Sequence, residues 1–190
     1  MKEKEKRQRF EIRLAGEGGQ GMILAGIVLA EAAAIFDGKN AIQTQSYGPE
    51  ARGGASKAEV IIADQEIDYP EVIQADVLVA MSQEACDKYA SNLSRDGFLI
   101  VDEEKVGRVT TTRVVRLPIT KLAQQTTGKT ITANVVALGA LVGLTGIVTR
   151  EAIEQAVTAR APKGTEALNQ AALAAGFDAV AQYTGYRRFT

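Results

Sequence analysis

Phe10-Glu-Ile-Arg-Leu-Ala15 alternates apolar and polar residues and runs straight into Gly16-Glu-Gly-Gly-Gln-Gly21. From Met22 to Phe36 the chain is then rich in Ala, Leu and Ile, with Glu31 its only charge, and it stops at Asp37-Gly38. Period-two alternation predicts a half-buried strand, the glycines a tight turn, and the apolar stretch a buried helix with an exit signal at its end. A strand, a glycine turn and a buried helix in that order are the opening unit of an α/β fold, which narrows the architectures open to the chain.

The rest of the sequence continues the alternation. Asn40 to Gln45 and Ser56 to Ala63 are predicted strands flanking a glycine-rich loop, Ser46 to Gly54. Two short apolar runs, Ala75 to Met81 and Phe98 to Val101, are predicted as buried strands on either side of a polar helix over 83–93. Thr110 to Arg116 is β-branched and predicts a further strand, with Pro118 marking its end. Helices are then expected over 119–125, 132–144, 150–159 and 164–183, with Thr149 as an N-cap. We expect a Rossmann-like three-layer α/β sandwich, with a mostly parallel sheet, helices on both faces and a helical C-terminal part. The expected organisation is a charged tail over 1–9 and one domain over 10–190.

Composition restricts the chemistry. The 190 residues contain no His, no Trp and one Cys. That removes histidine base catalysis and His-ligated metals, and one thiol cannot form an intrachain disulfide, a redox pair or a four-cysteine cluster site. Cys86, within a predicted helix, is expected to be a packing residue. Any metal centre used in electron transfer therefore belongs to a partner. The formal net charge of −1 offers no electrostatic case for a nucleic acid or an anionic membrane. The first nine residues alternate in charge and lack the apolar core of a signal peptide, so a cytoplasmic location is expected. The most apolar stretch, Val135 to Val148, is shorter than a membrane span and predicts a buried helix whose Ala and Gly residues permit close packing.

Gly16, Gly18 and Gly21 match G-x-G-x-x-G at the end of a strand and the start of a helix, where free N–H groups favour an anion such as a pyrophosphate. A nicotinamide site also wants an acidic residue closing the second strand, and that stretch reads Ala41-Ile-Gln-Thr-Gln45. The alternative is that the glycines only shape a tight turn against another chain. The loop holding Tyr47, Gly48, Glu50, Arg52, Gly53 and Gly54, with Lys57 just beyond, is expected at the carboxyl ends of the strands beside the first glycine loop. Arg52 can grip a phosphate or carboxylate in bidentate fashion, and Lys57 can act as a point charge. Asn134, opening the apolar helix, is either a cap, a satisfied buried amide or a ligand contact.

Arg13-Leu-Ala-Gly-Glu-Gly-Gly-Gln-Gly21, together with Ile42-Gln-Thr-Gln-Ser-Tyr-Gly-Pro-Glu-Ala-Arg-Gly-Gly-Ala-Ser-Lys-Ala-Glu-Val60, resembles the gamma subunit of 2-oxoacid:ferredoxin oxidoreductases. The second loop is nearest the 2-oxoglutarate branch, and Thr132-Ala-Asn-Val-Val-Ala-Leu-Gly139 is similar to that family as well. The resemblance implies a complex that oxidatively decarboxylates a 2-oxo acid to acyl-CoA and reduces ferredoxin. It implies thiamine diphosphate, Mg2+ and iron-sulfur clusters on alpha, beta and delta-type partners, and coenzyme A bound partly at this subunit. The residues it would assign to coenzyme A are Gly16, Gly18, Gly19, Gln20, Gly21, Tyr47, Gly48, Glu50, Arg52, Gly53, Gly54, Lys57 and Asn134, with no catalytic residue and no metal ligand. The competing readings are a self-contained NAD-binding dehydrogenase domain and a non-catalytic ligand-binding module.

Overall fold

In the computed structural model, which describes residues 9–47 and 54–183, the opening unit is β1 (Arg9–Glu17) followed by α1 (Met22–Glu31). The last turn of the predicted helix widens to π geometry over Ala32–Phe36, a change that Ala-Ala-Ala-Ile-Phe does not announce. Then come β2 (Asn40–Ser46), β3 (Ala55–Ala63), β4 (Ala75–Ala80), α2 (Gln83–Tyr89), β5 (Leu93–Asp102) and β6 (Val114–Leu117). Four helices follow, α3 (Ile119–Thr127), α4 (Ala133–Thr145), α5 (Arg150–Arg160) and α6 (Glu166–Ala181). The polar helix ends earlier than its composition predicts, giving way to a 3-10 turn over Ala90–Asn92. The strand predicted at Phe98 starts at Leu93, and the one predicted from Thr110 starts at Val114. Arg9 belongs to β1 rather than to the charged tail.

The six strands form one sheet in the order β2-β3-β1-β4-β5-β6. β1 pairs in parallel with β4, β4 with β5, and β5 with β6, whereas β3 runs antiparallel to both β1 and β2. Five strands thus point one way and β3 alone points back. Strand periodicity carries no direction, so this reversal is invisible in the sequence.

One face of the sheet packs Ile12, Leu14, Val60, Ile62, Val77, Val79, Phe98 and Ile100 into a large core shared with α1 and α3 to α6. The other face carries Leu78, Leu99 and Val101 under Ala85 and Cys86 of α2. Helices cover both faces, as expected, but unequally. The polar residues of β1 are not solvated as the alternation predicts: Arg13 is only 3% exposed, because the second face is covered as well.

α4 is buried along almost its whole length, and its small residues set a close crossing with α6. A Cβ built on Gly139 would lie 2.1 Å from the Leu173 carbonyl oxygen, and one on Gly176 would lie 2.1 Å from the Val136 carbonyl oxygen. Real Cβ contacts do not reach such distances, so the two helix backbones meet through glycine. Thr149 caps α5 as expected, accepting from the Ala152 N–H at 3.1 Å, while its hydroxyl donates to Asp37 at 2.6 Å. Asp37 therefore joins the exit of the first helical segment to the start of α5.

Gly139→Ala is expected to destabilise the protein by about 1–3 kcal/mol through forced separation of α4 and α6, measured by denaturant unfolding. Gly107→Ala, where a Cβ meets nothing within 4 Å, is expected to change stability by less than about 0.5 kcal/mol.

Candidate functional site

β1 and β3 pair through nine residues, ending in Gly16 opposite Ser56 and Glu17 opposite Ala55. The Ser56 hydroxyl donates to the Gly16 carbonyl at 3.2 Å. β2 ends at Ser46, opposite Lys57. The segment joining β2 to β3 therefore re-enters the sheet beside the first glycine loop, at Ala55 opposite Glu17. Gly48, Glu50, Arg52 and Gly53 lie outside the described residues. Tyr47, at one end of that segment, is 68% exposed, and Gly54 at the other end is half-buried.

Each residue of the first loop has its own geometry. The Gln20 side chain folds back across the turn, accepting from the Glu17 N–H at 2.7 Å and donating to the Met81 carbonyl at 3.0 Å. It lies over Gly16, where a Cβ would come within 2.3 Å of its Oε1. Gln20 is thus a brace of the loop, linking it to the junction of β4 and α2. Gly21 has φ 74° and faces Asn134, whose amide donates to the Gly21 carbonyl at 3.2 Å while its Oδ1 accepts from the Val135 N–H at 2.9 Å. Asn134 is therefore a satisfied buried amide that ties α4 to the start of α1. Gly19 has φ 92°, a left-handed conformation that favours glycine.

Gly18 is different. Its φ is not in the left-handed region, and a Cβ built on it would meet nothing within 4 Å. The fold itself asks for no glycine there. The N–H groups of Gly18, Gly19 and Gly21 make no hydrogen bond among the described residues. Together with the first turn of α1, they form a row of donors at the positive end of a helix.

Lys57 is not an isolated point charge. Its ammonium lies 2.9 Å from Glu59, and the same carboxylate binds the Arg13 guanidinium at 2.7 Å. Tyr89 of α2 packs beside both, its ring centroid 5.4 Å from the Arg13 guanidinium carbon and 5.8 Å from the Lys57 ammonium. The Arg13 side chain is almost wholly buried, and its Nη1 has no partner among the described residues. Sequence reasoning missed Arg13 because its place in the alternation marks an outward position; the signal available was its register opposite Glu59.

Cys86 is 1% exposed, and burial, followed by the neighbouring Asp87 charge, holds its thiol above its ordinary pKa despite an opposing contribution from Arg116. Such a thiol is a poor nucleophile, in keeping with a packing role. Among the described residues, no three His, Cys, Asp or Glu side chains are grouped so as to hold a metal ion, and no helix is long and apolar enough to cross a membrane.

The topology also bears on the NAD reading. β3 stands between β1 and β2, placing the end of β2 about two strand spacings, roughly 9.5 Å, from the glycine turn. The residues closing β2 are Gln45 and Ser46, so among the described residues no acidic side chain stands where a dinucleotide fold places its ribose contact.

The family model described as pyruvate ferredoxin/flavodoxin oxidoreductase matches residues 11–179. The chain is 48% identical to the 2-oxoglutarate synthase subunit KorC of Methanocaldococcus jannaschii over 94% of this chain and 97% of that one. It is 52% identical to the subunit of the same name from Methanothermobacter thermautotrophicus, over 88% of this chain and 93% of that one. Among solved structures, a keto/oxoacid ferredoxin oxidoreductase gamma subunit from Geobacter sulfurreducens superposes with a TM-score of 0.84 at 48% identity, covering 91% and 97% of the two chains. The fold also occurs within a 2-oxoglutarate:ferredoxin oxidoreductase from Magnetococcus marinus, with a TM-score of 0.84 at 21% identity, covering 97% of this chain and 33% of that longer one.

Removing the Glu59 carboxylate strands a buried guanidinium, so Glu59→Ala is expected to cost about 3–5 kcal/mol in denaturant unfolding. The double variant Arg13→Met with Glu59→Leu is expected to recover most of that loss.

Proposed function

Because the chain belongs to the pyruvate ferredoxin/flavodoxin oxidoreductase family, we propose that it serves as the gamma subunit of a 2-oxoglutarate:ferredoxin oxidoreductase and contributes the coenzyme A platform of that complex. The reading rests on one observation above the others, the open Gly18 with its unpaired row of backbone N–H groups. A pyrophosphate lying on Gly18 to Gly21 satisfies those donors at a helix start, and it approaches the backbone where any side chain would obstruct it. Glu50 and Arg52 fall between Ser46, where β2 ends, and Ala55, which pairs with Glu17 at the glycine loop, and Arg52 supplies the guanidinium that a phosphate favours.

Gln20 and Asn134 hold the loop in shape rather than touching ligand, since their amides are engaged with Glu17, Met81, Gly21 and Val135. Lys57, neutralised by Glu59, contributes less charge to the ligand than its sequence position implies. Tyr47, exposed at the end of β2, offers a face for the ligand or for a partner subunit.

The chain does not carry the donor set for a cluster: one buried thiol stands where four are needed. In this reading the thiamine diphosphate, Mg2+, the clusters and the ferredoxin contact belong to alpha, beta and delta-type partners, and the reaction proceeds in the cytoplasm. The role of this subunit is to hold coenzyme A so that its thiol meets the acyl group made on a partner, a gain in proximity rather than a chemical step.

In the assembled complex, Gly18→Ala is expected to raise the apparent KM for coenzyme A by about tenfold, equivalent to about 1.4 kcal/mol, with kcat for 2-oxoglutarate within about twofold. Arg52→Ala is expected to act in the same direction, as reported by ferredoxin or viologen reduction. Unchanged coenzyme A kinetics in both intact variants would remove the assignment.

A further inference from the structure

The junction between β4 and α2 touches both candidate loops. The Met81 carbonyl accepts from the Gln20 side chain at 3.0 Å, while the Met81 N–H donates to the Ala15 carbonyl at 2.9 Å. Three residues later, Glu84 in the first turn of α2 accepts from the Ala55 N–H at 3.2 Å. Ala55 is where the second loop re-enters the sheet, opposite Glu17 at the end of β1. One short stretch, Met81 to Glu84, therefore fastens the glycine loop through Gln20 and the root of the second loop through Ala55.

Local structure explains why Glu84 stands there. Ser82 caps α2, its hydroxyl accepting from the Ala85 N–H at 3.2 Å, and Ala85 and Cys86 are buried against the sheet. Tyr89, at the other end of α2, places its ring centroid 5.8 Å from the ammonium of Lys57, which follows Ala55 by two residues. α2 thus meets the start of β3 at two points, through Glu84 and through Tyr89. A carboxylate in the first turn of a helix is favoured by the helix dipole even without a partner. That ordinary role needs a charge, whereas the bond to Ala55 needs an acceptor oxygen at the right reach. Glutamine keeps the oxygen and loses the charge, so the two roles are separable.

We propose that Glu84 is a positioning residue: by accepting the Ala55 N–H it fixes the second loop beside the glycine turn, and the hold of that loop on coenzyme A depends on it. The proposal rests on the coenzyme A reading above and adds to it a residue that touches no ligand. Arg52 precedes Ala55 by three residues, a tether of about 10 Å at full extension, so the place of Ala55 limits where the guanidinium can reach. The net contribution of one hydrogen bond corresponds to about two- to tenfold in binding.

The test uses the assembled complex, and Glu84 is exposed, so its replacement leaves the core intact. Glu84→Ala is expected to raise the apparent KM for coenzyme A about fivefold, with kcat within about twofold, and to speed amide exchange at Ala55. Glu84→Gln is expected to restore most of both. In an Arg52→Ala background, Glu84→Ala is expected to add less than about twofold, because the two residues act through one loop. The proposal is overturned if Glu84→Ala leaves either KM or Ala55 exchange unchanged. It is also overturned if Glu84→Gln is as impaired as Glu84→Ala, or if the effects of Glu84→Ala and Arg52→Ala multiply independently. If Arg52→Ala raises KM while Glu84→Ala is silent, the positioning role falls and the coenzyme A reading stands. If Gly18→Ala and Arg52→Ala are silent while Glu84→Ala speeds exchange at Ala55, the coenzyme A reading falls and Glu84 remains only the anchor of the loop root.

Discussion

The antiparallel pairing of β3 against β1 is the constraint on which the site depends. By running back between β1 and β2, β3 brings the far end of the β2–β3 segment to the glycine turn, so that Ser56 bonds Gly16 directly. A parallel strand in that place would have needed a crossover and would have sent the second loop elsewhere. The same reversal moves β2 one strand away from β1, and so replaces the ribose-binding corner of a dinucleotide fold with a surface of uncharged polar side chains. One choice of strand direction thus sets which residues stand beside the glycine turn.

Around that pairing, the structure invests in rigidity rather than reactivity. Gln20 braces the loop from within, Asn134 fastens it to α4, and the glycine contact between Gly139 and Gly176 locks α4 against α6. On the face of the sheet that carries α2, Arg13, Glu59, Lys57 and Tyr89 form a compact charged cluster whose Arg13–Glu59 centre is nearly buried. Replacing such a pair by apolar residues is often neutral, so its presence is weak grounds for stability, whereas breaking it is costly. A subunit that positions a flexible cosubstrate benefits from a binding surface held still in advance.

Much of this was legible in the sequence. The strand, glycine turn and helix at the start, the buried character of α4, the Thr149 cap and the packing role of Cys86 all follow from local pattern. What was not legible depended on pairing. The direction of β3 has no periodic signature, and the burial of Arg13 required knowing that Glu59 sits opposite it. The early start of β5 was hidden by Ser94-Arg-Asp-Gly97, a polar stretch that reads as a turn. At the site, the glycines were found by spacing, yet spacing could not separate Gly21, whose left-handed backbone favours glycine, from Gly18, whose backbone does not.

The central claim is that backbone N–H groups of this chain, and not only groups on the partners, hold coenzyme A. Amide hydrogen exchange on the assembled complex, with and without coenzyme A, tests it most directly. The account predicts slowed exchange at Gly18, Gly19 and Gly21 when coenzyme A is added. Exchange at those amides that stays unchanged, while amides of the partner subunits become protected, would contradict it.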